Sequence, residues 1–416
     1  MVALPLPTAF ARLAKCGGLG LAAVDCHISI LVGMNTSAAT EAPAPAVAWS
    51  EQLTSVEAIT LVGLPIASFV LIYILLRIVW KPLASNPKYS LPLASSVPHY
   101  GATTGATTSQ GNPIEEGEVA GDYEDHWTKT FDFVFLIGMV LYLAVVVALT
   151  WVYSPEYFTT PLFWWSQLPK VGCMMIVSMI GGLICRMFCS VDSNGYIITN
   201  KSSAFKVNYT RKLQHFAAYM VPLVMHTNFH GPLALAWGDF FTMIGFLVLI
   251  KPVRESLSFF MLQFNSLDRP EDRPHTLKWI IAGNIAPGLF ILMFFKWLFA
   301  ENGDLVYIIV FITGIGDGLA EPVGIMWGKH KYKTTACFST RAYTRSWEGS
   351  TCVFLSGMIF PALQYADFDS FAQVLVSMIV LPPTMAYAEA IAPHTMDTPV
   401  LMIGCGIILW VITTFV

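Results

Sequence analysis

The chain has 416 residues, of which 55% are hydrophobic and only 12% charged. That composition excludes a soluble globular enzyme or a nucleic-acid-binding module and predicts a protein that crosses a membrane many times. The net charge of −4 says little about partners, because Glu115, Glu116, Glu118, Asp122, Glu124 and Asp125 put six acids into one polar stretch.

Residues 1–58 are Ala/Pro-rich and short of acids, with Arg12 and Lys15 ahead of an apolar run at 17–34. This pattern is compatible with a targeting peptide, although Asp25 and His27 interrupt the run. Residues 59–204 form an N-terminal transmembrane region interrupted by a polar Gly/Ser/Thr/Pro-bearing loop at 82–128. Residues 205–416 hold most of the charged residues that fall in or beside apolar runs. Apolar runs long enough or nearly long enough to span a bilayer fall at 59–80, 131–152, 171–189, 214–230, 232–250, 279–300, 305–326, 350–365, 372–392 and 399–416. The expected fold is therefore all-α, a polytopic membrane bundle of about 9–10 transmembrane helices. No period of 20–50 residues recurs, which argues against a repeat architecture. The eight cysteines contain no CxxC pair, and Cys185 and Cys189 read as packing residues on one helix face.

Threading these spans alternately collects Lys81, Lys88, Lys129, Lys201, Lys206, Arg211, Lys212, Lys251, Arg254, Arg269, Arg273, Lys278, Lys329, Lys331, Lys333, Arg341 and Arg345 on one side. The other side receives Lys170, with Lys296 near a helix end. Positive loops face the cytosol or its topological equivalent, so the basic face is expected to be cytosolic or stromal. The sequons at Asn200 and Asn208 are then expected to stay unmodified, leaving Asn35 as the accessible one.

The most informative stretch is GIGDGLAEPVG at 314–324. It places Asp317 and Glu321 inside an apolar run, where an ionisable residue costs about 2.5–3.5 kcal/mol and marks a functional site by default. Acids four residues apart share a helix face. Gly314, Gly316, Gly318 and Gly324 are expected to let backbone N–H groups approach a ligand, and Pro322 to kink or end the helix near Glu321. Carboxylate oxygens suit Mg²⁺, which keeps water and phosphate in its remaining positions. Structural pairing of these acids with a Lys or Arg is the simpler reading.

RKLQHF at 211–216 sits where a basic loop meets an apolar run, with Arg211 and His215 on one face and Lys212 beside them. It reads either as flanking positive charge or as a clamp for phosphate oxygens. WGKHKYKTT supplies Gly328, Lys329, Lys331 and Lys333, which also suit contact with anionic lipid. TRSWEGS supplies Arg345, Glu348, Gly349 and Ser350 directly ahead of a span. Glu389 lies late in a run bent at Pro382 and Pro383, and Asp397 follows it. Asp239 is a further acid in an apolar run, read equally as site residue or buried partner. His226 and His230 have i,i+4 spacing but fall on the opposite face, as interfacial histidines. DRPEDRPH at 268–275 reads as a solvated loop able to cover the site.

The order RKxxH, GDGxAxxVGxxxGK, (K/R)SWEGS and a late acid-bearing helix resembles the polyprenol kinase family, which includes phytol, farnesol and dolichol kinases and is distantly similar to phosphatidate cytidylyltransferases. The resemblance covers 205–416, about half of the chain. It implies phosphorylation of a long-chain isoprenoid alcohol by a nucleoside triphosphate, typically CTP with Mg²⁺, in a membrane such as the endoplasmic reticulum or plastid envelope. By position, Arg211, Lys212 and His215 match the first motif; Asp317, Gly324, Gly328 and Lys329 the second; Arg345, Glu348, Gly349 and Ser350 the third; Glu389 and Asp397 the last. The chain departs from the pattern with Thr398 where Asn is common, with Arg345 for Lys, and at the Glu321–Pro322 step.

The mechanism that fits this resemblance has Asp317 coordinating Mg²⁺, with Glu321 as second carboxylate or a water-mediated partner, and Arg211, Lys212, Lys329 and Arg345 holding triphosphate oxygens. Glu348 or His215 would accept the alcohol proton. Cytidylyl transfer to a lipid phosphate, a diacylglycerol acceptor, and a transporter with intramembrane acids remain the competing readings.

Overall fold

The computed structural model describes residues 50, 53–80, 126–198, 205–225, 232–269, 272–337, 342–393 and 396–416, and every structural statement below concerns these. The polar loop at 82–128, apart from its last three residues, and both outer histidines lie outside them.

The first span, α1 (Ser55–Val79), starts at a capping box in which Thr54 accepts from the Glu57 N–H while the Glu57 carboxylate accepts from Thr54 N–H at 2.8 Å. Val56, Ile59, Val62 and Ile66 stand exposed along it, as lipid-facing side chains do. Then come α2 (His126–Tyr153) and α3 (Pro161–Phe188), followed by a small antiparallel hairpin of β1 (Ser190–Val191) and β2 (Ile197–Ile198). Helix α4 (Val207–Val224) and the short apolar α5 (Pro232–Leu247) come next. Two short helices, Lys251–Ser256 and Ser258–Asn265, lead to α6 (Thr276–Phe299) and α7 (Asn302–Trp327). A hairpin of β3 (Lys331–Thr335) and β4 (Ala342–Ser346) pairs Tyr332 with Arg345 and delivers the chain to α8 (Trp347–Leu363), α9 (Phe371–Ile391) and α10 (Asp397–Phe415).

The chain is an all-α polytopic bundle, with seven described helices long and apolar enough to cross a membrane. The other three expected runs are helical but shorter or more polar: α4 is amphipathic, α5 is apolar over Leu233–Leu247, and α8 has 17 residues. Two helix starts differ most from expectation. Helix α3 begins at Pro161 rather than 171, because Pro161 is pre-set for the first helical position and Lys170 can snorkel from a helix interior. Helix α4 begins at Val207, so RKLQH lies within its first turns and not at a loop entry.

Two large apolar cores divide the bundle, beside a small cluster of Cys185, Cys189, Ile197 and Val207. One joins Phe295, Ile308, Ile312, Val353, Met378, Leu381 and Leu409 from α6 to α10. The other joins Phe163, Trp237, Phe240, Met261 and Phe264 around α2, α3 and α5. Helix α4 packs between α3 and α7, which sets its polar residues against both halves. The helix Ser258–Asn265 crosses α3 so closely that a Cβ on Gly182 would sit 1.9 Å from the Leu262 carbonyl oxygen.

Candidate functional site

The site is built on α7. Its backbone widens into a π turn at Ile312–Asp317 and then resumes as α-helix from Gly318 to Trp327, straight through Pro322. The expected break is thus a wide turn ahead of the proline and not an end at Glu321. Pro322 lacks an N–H and crowds the turn before it, and the adjoining π turn carries that mismatch.

Asp317 is buried, and its Oδ2 lies 3.0 Å from Nζ of Lys212 on α4. The same ammonium stands 3.9 Å from Glu321 Oε2, so the two acids share one cation, as their spacing predicts. Glu321 Oε1 accepts from Asn208 Nδ2 at 2.6 Å and from Arg269 Nη1 at 3.3 Å. Arg269 in turn holds Asp272 at 2.8 Å, and Arg211 pairs with the same Asp272 oxygen. The described acids of 268–275 are therefore not solvated as expected: Asp268 and Asp272 are buried because each carboxylate is paired with a guanidinium, Asp268 with Arg273 at 2.6 Å. Burial would raise the Asp272 carboxyl, but Arg211 and Arg269 hold it below the usual carboxylate range.

A second group lies alongside. Arg345 on β4 pairs with Glu389 near the end of α9 and reaches the Ala392 carbonyl at 3.4 Å. Ser350 donates to Glu389 Oε2 at 3.3 Å and shares a 2.6 Å hydrogen bond with the Tyr332 hydroxyl. Asp397, at the start of α10, accepts from the Thr398 N–H at 2.9 Å and interacts electrostatically with Asp317, Lys212 and Arg345. It links the two groups into one charged cluster. His215 turns Nε2 to the Thr313 carbonyl at 3.1 Å. A carbonyl only accepts, so Nε2 carries the proton and Nδ1 keeps its lone pair.

Glu348 sits differently. Its carboxylate accepts the N–H groups of Lys329 and His330 at 2.9 and 3.2 Å and lies 2.6 Å from His330 Nδ1. His330 Nε2 meets the Trp80 carbonyl oxygen at 3.1 Å, and the Trp80 and Trp347 rings are 4.7 Å apart. Burial would raise the Glu348 carboxyl, yet the His330 and backbone hydrogen bonds hold it below its ordinary value. Glu348 thus clamps the turn that leaves α7 and ties it to the end of α1. Lys329 is exposed beside it.

The glycines have packing partners. A Cβ on Gly316 would fall 2.1 Å from Ser356 Oγ and one on Gly318 2.9 Å from Phe216, while Gly324, Gly328 and Gly349 crowd the Ser346 hydroxyl that caps α8. The room they leave is taken by protein, bringing α7 against α8 and α4. Asp239 on α5 interacts with Tyr142 of α2 and joins none of the ion pairs among the described residues.

Among the described residues no group of three or more His, Cys, Asp or Glu side chains is arranged to hold a metal. Asp317 and Asp397 are two mutually repelling carboxylates, and Asp397 carries no ion pair among the described residues. That donor set fits a Mg²⁺ that arrives with water and phosphate oxygens, and does not fit an all-protein cage. Glu321, tied to Asn208, Arg269 and Lys212, is less suited to be the second carboxylate than Asp397. Sequence reasoning missed Asn208, Arg269, Asp272 and Tyr332; the alternation of acids and arginines in DRPEDRPH was the available signal for two of them.

No protein-family model, no curated protein and no solved structure matches this chain.

Proposed function

We propose that this chain is a membrane-embedded lipid kinase that transfers the γ-phosphate of a nucleoside triphosphate, CTP by the family resemblance, to the hydroxyl of a long-chain isoprenoid alcohol such as phytol, farnesol or dolichol. The supporting observation is convergence. Lys212 of α4, Asp317 of α7, Arg345 of β4, Glu389 of α9 and Asp397 of α10 come from remote parts of the chain and meet at one end of the bundle. Alternating positive-inside charge favours the cytosolic or stromal face for that end.

Phosphoryl transfer asks a protein chiefly for positioning and charge neutralisation. Asp317 and Asp397 would hold Mg²⁺, which supplies charge neutralisation at the phosphate oxygens when bound. Lys212, Arg211 and Arg345, with Lys329 at the exposed rim, neutralise the remaining phosphate charge. The alcohol oxygen attacks the γ-phosphorus, the bond from that phosphorus to the β–γ bridging oxygen breaks, and the nucleoside diphosphate leaves. The alcohol proton passes to His215 Nδ1, the better acceptor now that Glu348 is engaged by His330 and two backbone N–H groups. The isoprenoid tail needs only the lipid-facing surface between helices.

The test is product analysis with purified protein in micelles, Mg²⁺, an isoprenoid alcohol and CTP labelled in turn at the γ- and α-phosphorus. γ-label in the lipid is expected. α-label in a lipid product points to cytidylyl transfer instead, and absence of any labelled lipid with phytol, farnesol, dolichol or diacylglycerol removes the kinase reading.

A further inference from the structure

Between the helix Ser258–Asn265 and α6 the described residues include buried charges. Asp268, Arg269 and Asp272 are 0%, 3% and 5% exposed. Arg269 directs Nε and Nη2 at a single oxygen, Asp272 Oδ2, at 2.9 and 2.8 Å. Arg211, from α4, directs Nη1 at that same oxygen. Arg269 then extends Nη1 to Glu321 Oε1 at 3.3 Å, and Glu321 is followed by Lys212 and Asp317. The result is a line of alternating charge, Arg211, Asp272, Arg269, Glu321, Lys212, Asp317. The segment is fastened separately at its base, where Arg273 holds Asp268 and donates to the Ile197 carbonyl at 2.7 Å, and Thr276 donates to Asp268 at 2.9 Å. Asp268, Arg273 and Thr276 thus form an attachment that does not involve the Asp272 carboxylate.

We propose that Arg269 is a further phosphate-binding residue of this site, and that Asp272 is a resident counter-anion whose place on Arg211 and Arg269 is taken by a phosphate oxygen when a polyphosphate binds. This rests on the reading of the site as one that takes a nucleoside triphosphate. Two guanidinium groups from different elements converge on one anionic oxygen, which is the donor arrangement that phosphate accepts. Buried guanidinium charge needs compensating anions, so Asp272 adds to Glu321 as a resident counter-charge between turnovers. A phosphate group brings more charge and more acceptor oxygens than one carboxylate and can displace it.

A purely structural salt bridge and a counter-anion give opposite signs on removal of Asp272. The probe is inorganic tripolyphosphate with Mg²⁺, titrated against the full chain in micelles and read by equilibrium binding and by thermal unfolding. Asp272→Asn is expected to unfold at lower temperature without ligand, to bind tripolyphosphate about tenfold more tightly than wild type, and to regain more of its unfolding temperature on binding. Arg269→Gln is expected to bind about tenfold more weakly, with Arg269→Lys between it and wild type. Asp272→Asn binding with unchanged or weaker affinity, or Arg269→Gln binding as wild type does, overturns the proposal. If Asp272→Asn does not fold, the two Arg269 variants decide it. The kinase reading is checked apart from this by label transfer: wild type that phosphorylates lipid while Arg269→Gln leaves the nucleotide KM unchanged removes Arg269 and spares the function. Wild type that binds neither CTP nor tripolyphosphate removes the function and this role with it.

Discussion

Lys212 on α4 and Asp317 on α7 form an ion pair at 3.0 Å, with both side chains nearly sealed from solvent. Around them Glu321 and Asp397 add negative charge, so Lys212 faces three carboxylates. Lys212→Met should therefore destabilise the protein by about 3–5 kcal/mol, the cost of breaking a buried pair from one side. Asp317→Asn keeps a polar partner for the ammonium and should leave the bundle folded while abolishing phosphoryl transfer. Thermal unfolding and label transfer on the two variants separate the effects. Near-normal transfer by Asp317→Asn would take that carboxylate out of the mechanism.

The proton acceptor is tested by comparing His215 with Glu348. With Nε2 engaged by the Thr313 carbonyl, His215→Phe removes the available Nδ1 and should lower kcat on the order of 10²–10⁴-fold. Glu348→Gln should keep most of its kcat and lose stability, because Glu348 clamps His330 and the chain leaving α7. Its carboxyl is held below the ordinary value of 4.5, so ionised Glu348 contributes stability that is fully present above that pH and is lost as pH falls through the lower folded value. Acid unfolding of Glu348→Gln should accordingly begin from a lower plateau and show a shallower loss below pH 4.5. A large fall in kcat for Glu348→Gln with unchanged unfolding would reverse the assignment.

Much of this site is legible in the sequence for one physical reason: charged residues inside or at the edge of apolar runs stand out against them. Asp317, Glu321, Glu389 and Lys212 are conspicuous on that ground, and their meeting follows from alternating topology. Arg269 and Asp272 were not legible. In a short proline-bearing segment they look solvated, and their burial is decided by Arg211 and Glu321, which lie 61 and 52 positions away from Asp272 and Arg269 respectively. Glu348 shows the converse. It is prominent in the SWEGS string, yet its partner is His330 across the hairpin, a relation that no local spacing announces. Glycine and proline around Asp317 predict irregular backbone but not its kind, since a π turn and a helix end have the same local composition. The helix starts at Pro161 and Val207 were blurred by Lys170, Arg211 and Lys212, charged residues that a helix tolerates when they snorkel or pair.

Arg345 and Glu389 join the β3–β4 hairpin to α9, with Ser350 and Tyr332 extending the network. Arg345→Lys preserves charge but loses the fork that reaches both Glu389 and the Ala392 carbonyl. It should raise the nucleotide KM more than it lowers kcat. Glu389→Gln removes the ion-pair partner of Arg345, and Arg345→Lys combined with Glu389→Gln should cost less than the sum of the single changes. A double-mutant cycle read by thermal unfolding checks this, with a coupling of about 0.5–3 kcal/mol expected for groups in contact. Strict additivity would mean that the two side chains act independently.

The glycine-rich strings make a separate, purely steric prediction. A Cβ on Gly349 would lie 2.7 Å from the Ala320 carbonyl oxygen and 3.1 Å from Ser346 Oγ, at the place where α7 and α8 touch. Backbone cannot retreat there without moving Asp317 and the cap of α8 together, so Gly349→Ala should destabilise by about 1–3 kcal/mol and depress transfer through displaced geometry. Gly63 on α1 meets nothing within 4 Å, and Gly63→Ala should be neutral or stabilise by about 0.5–1 kcal/mol through helix propensity alone. Both variants change the same chemistry by one methyl group. Equal unfolding temperatures for the two would show that the close contact of α7 with α8 at Gly349 does not constrain the site.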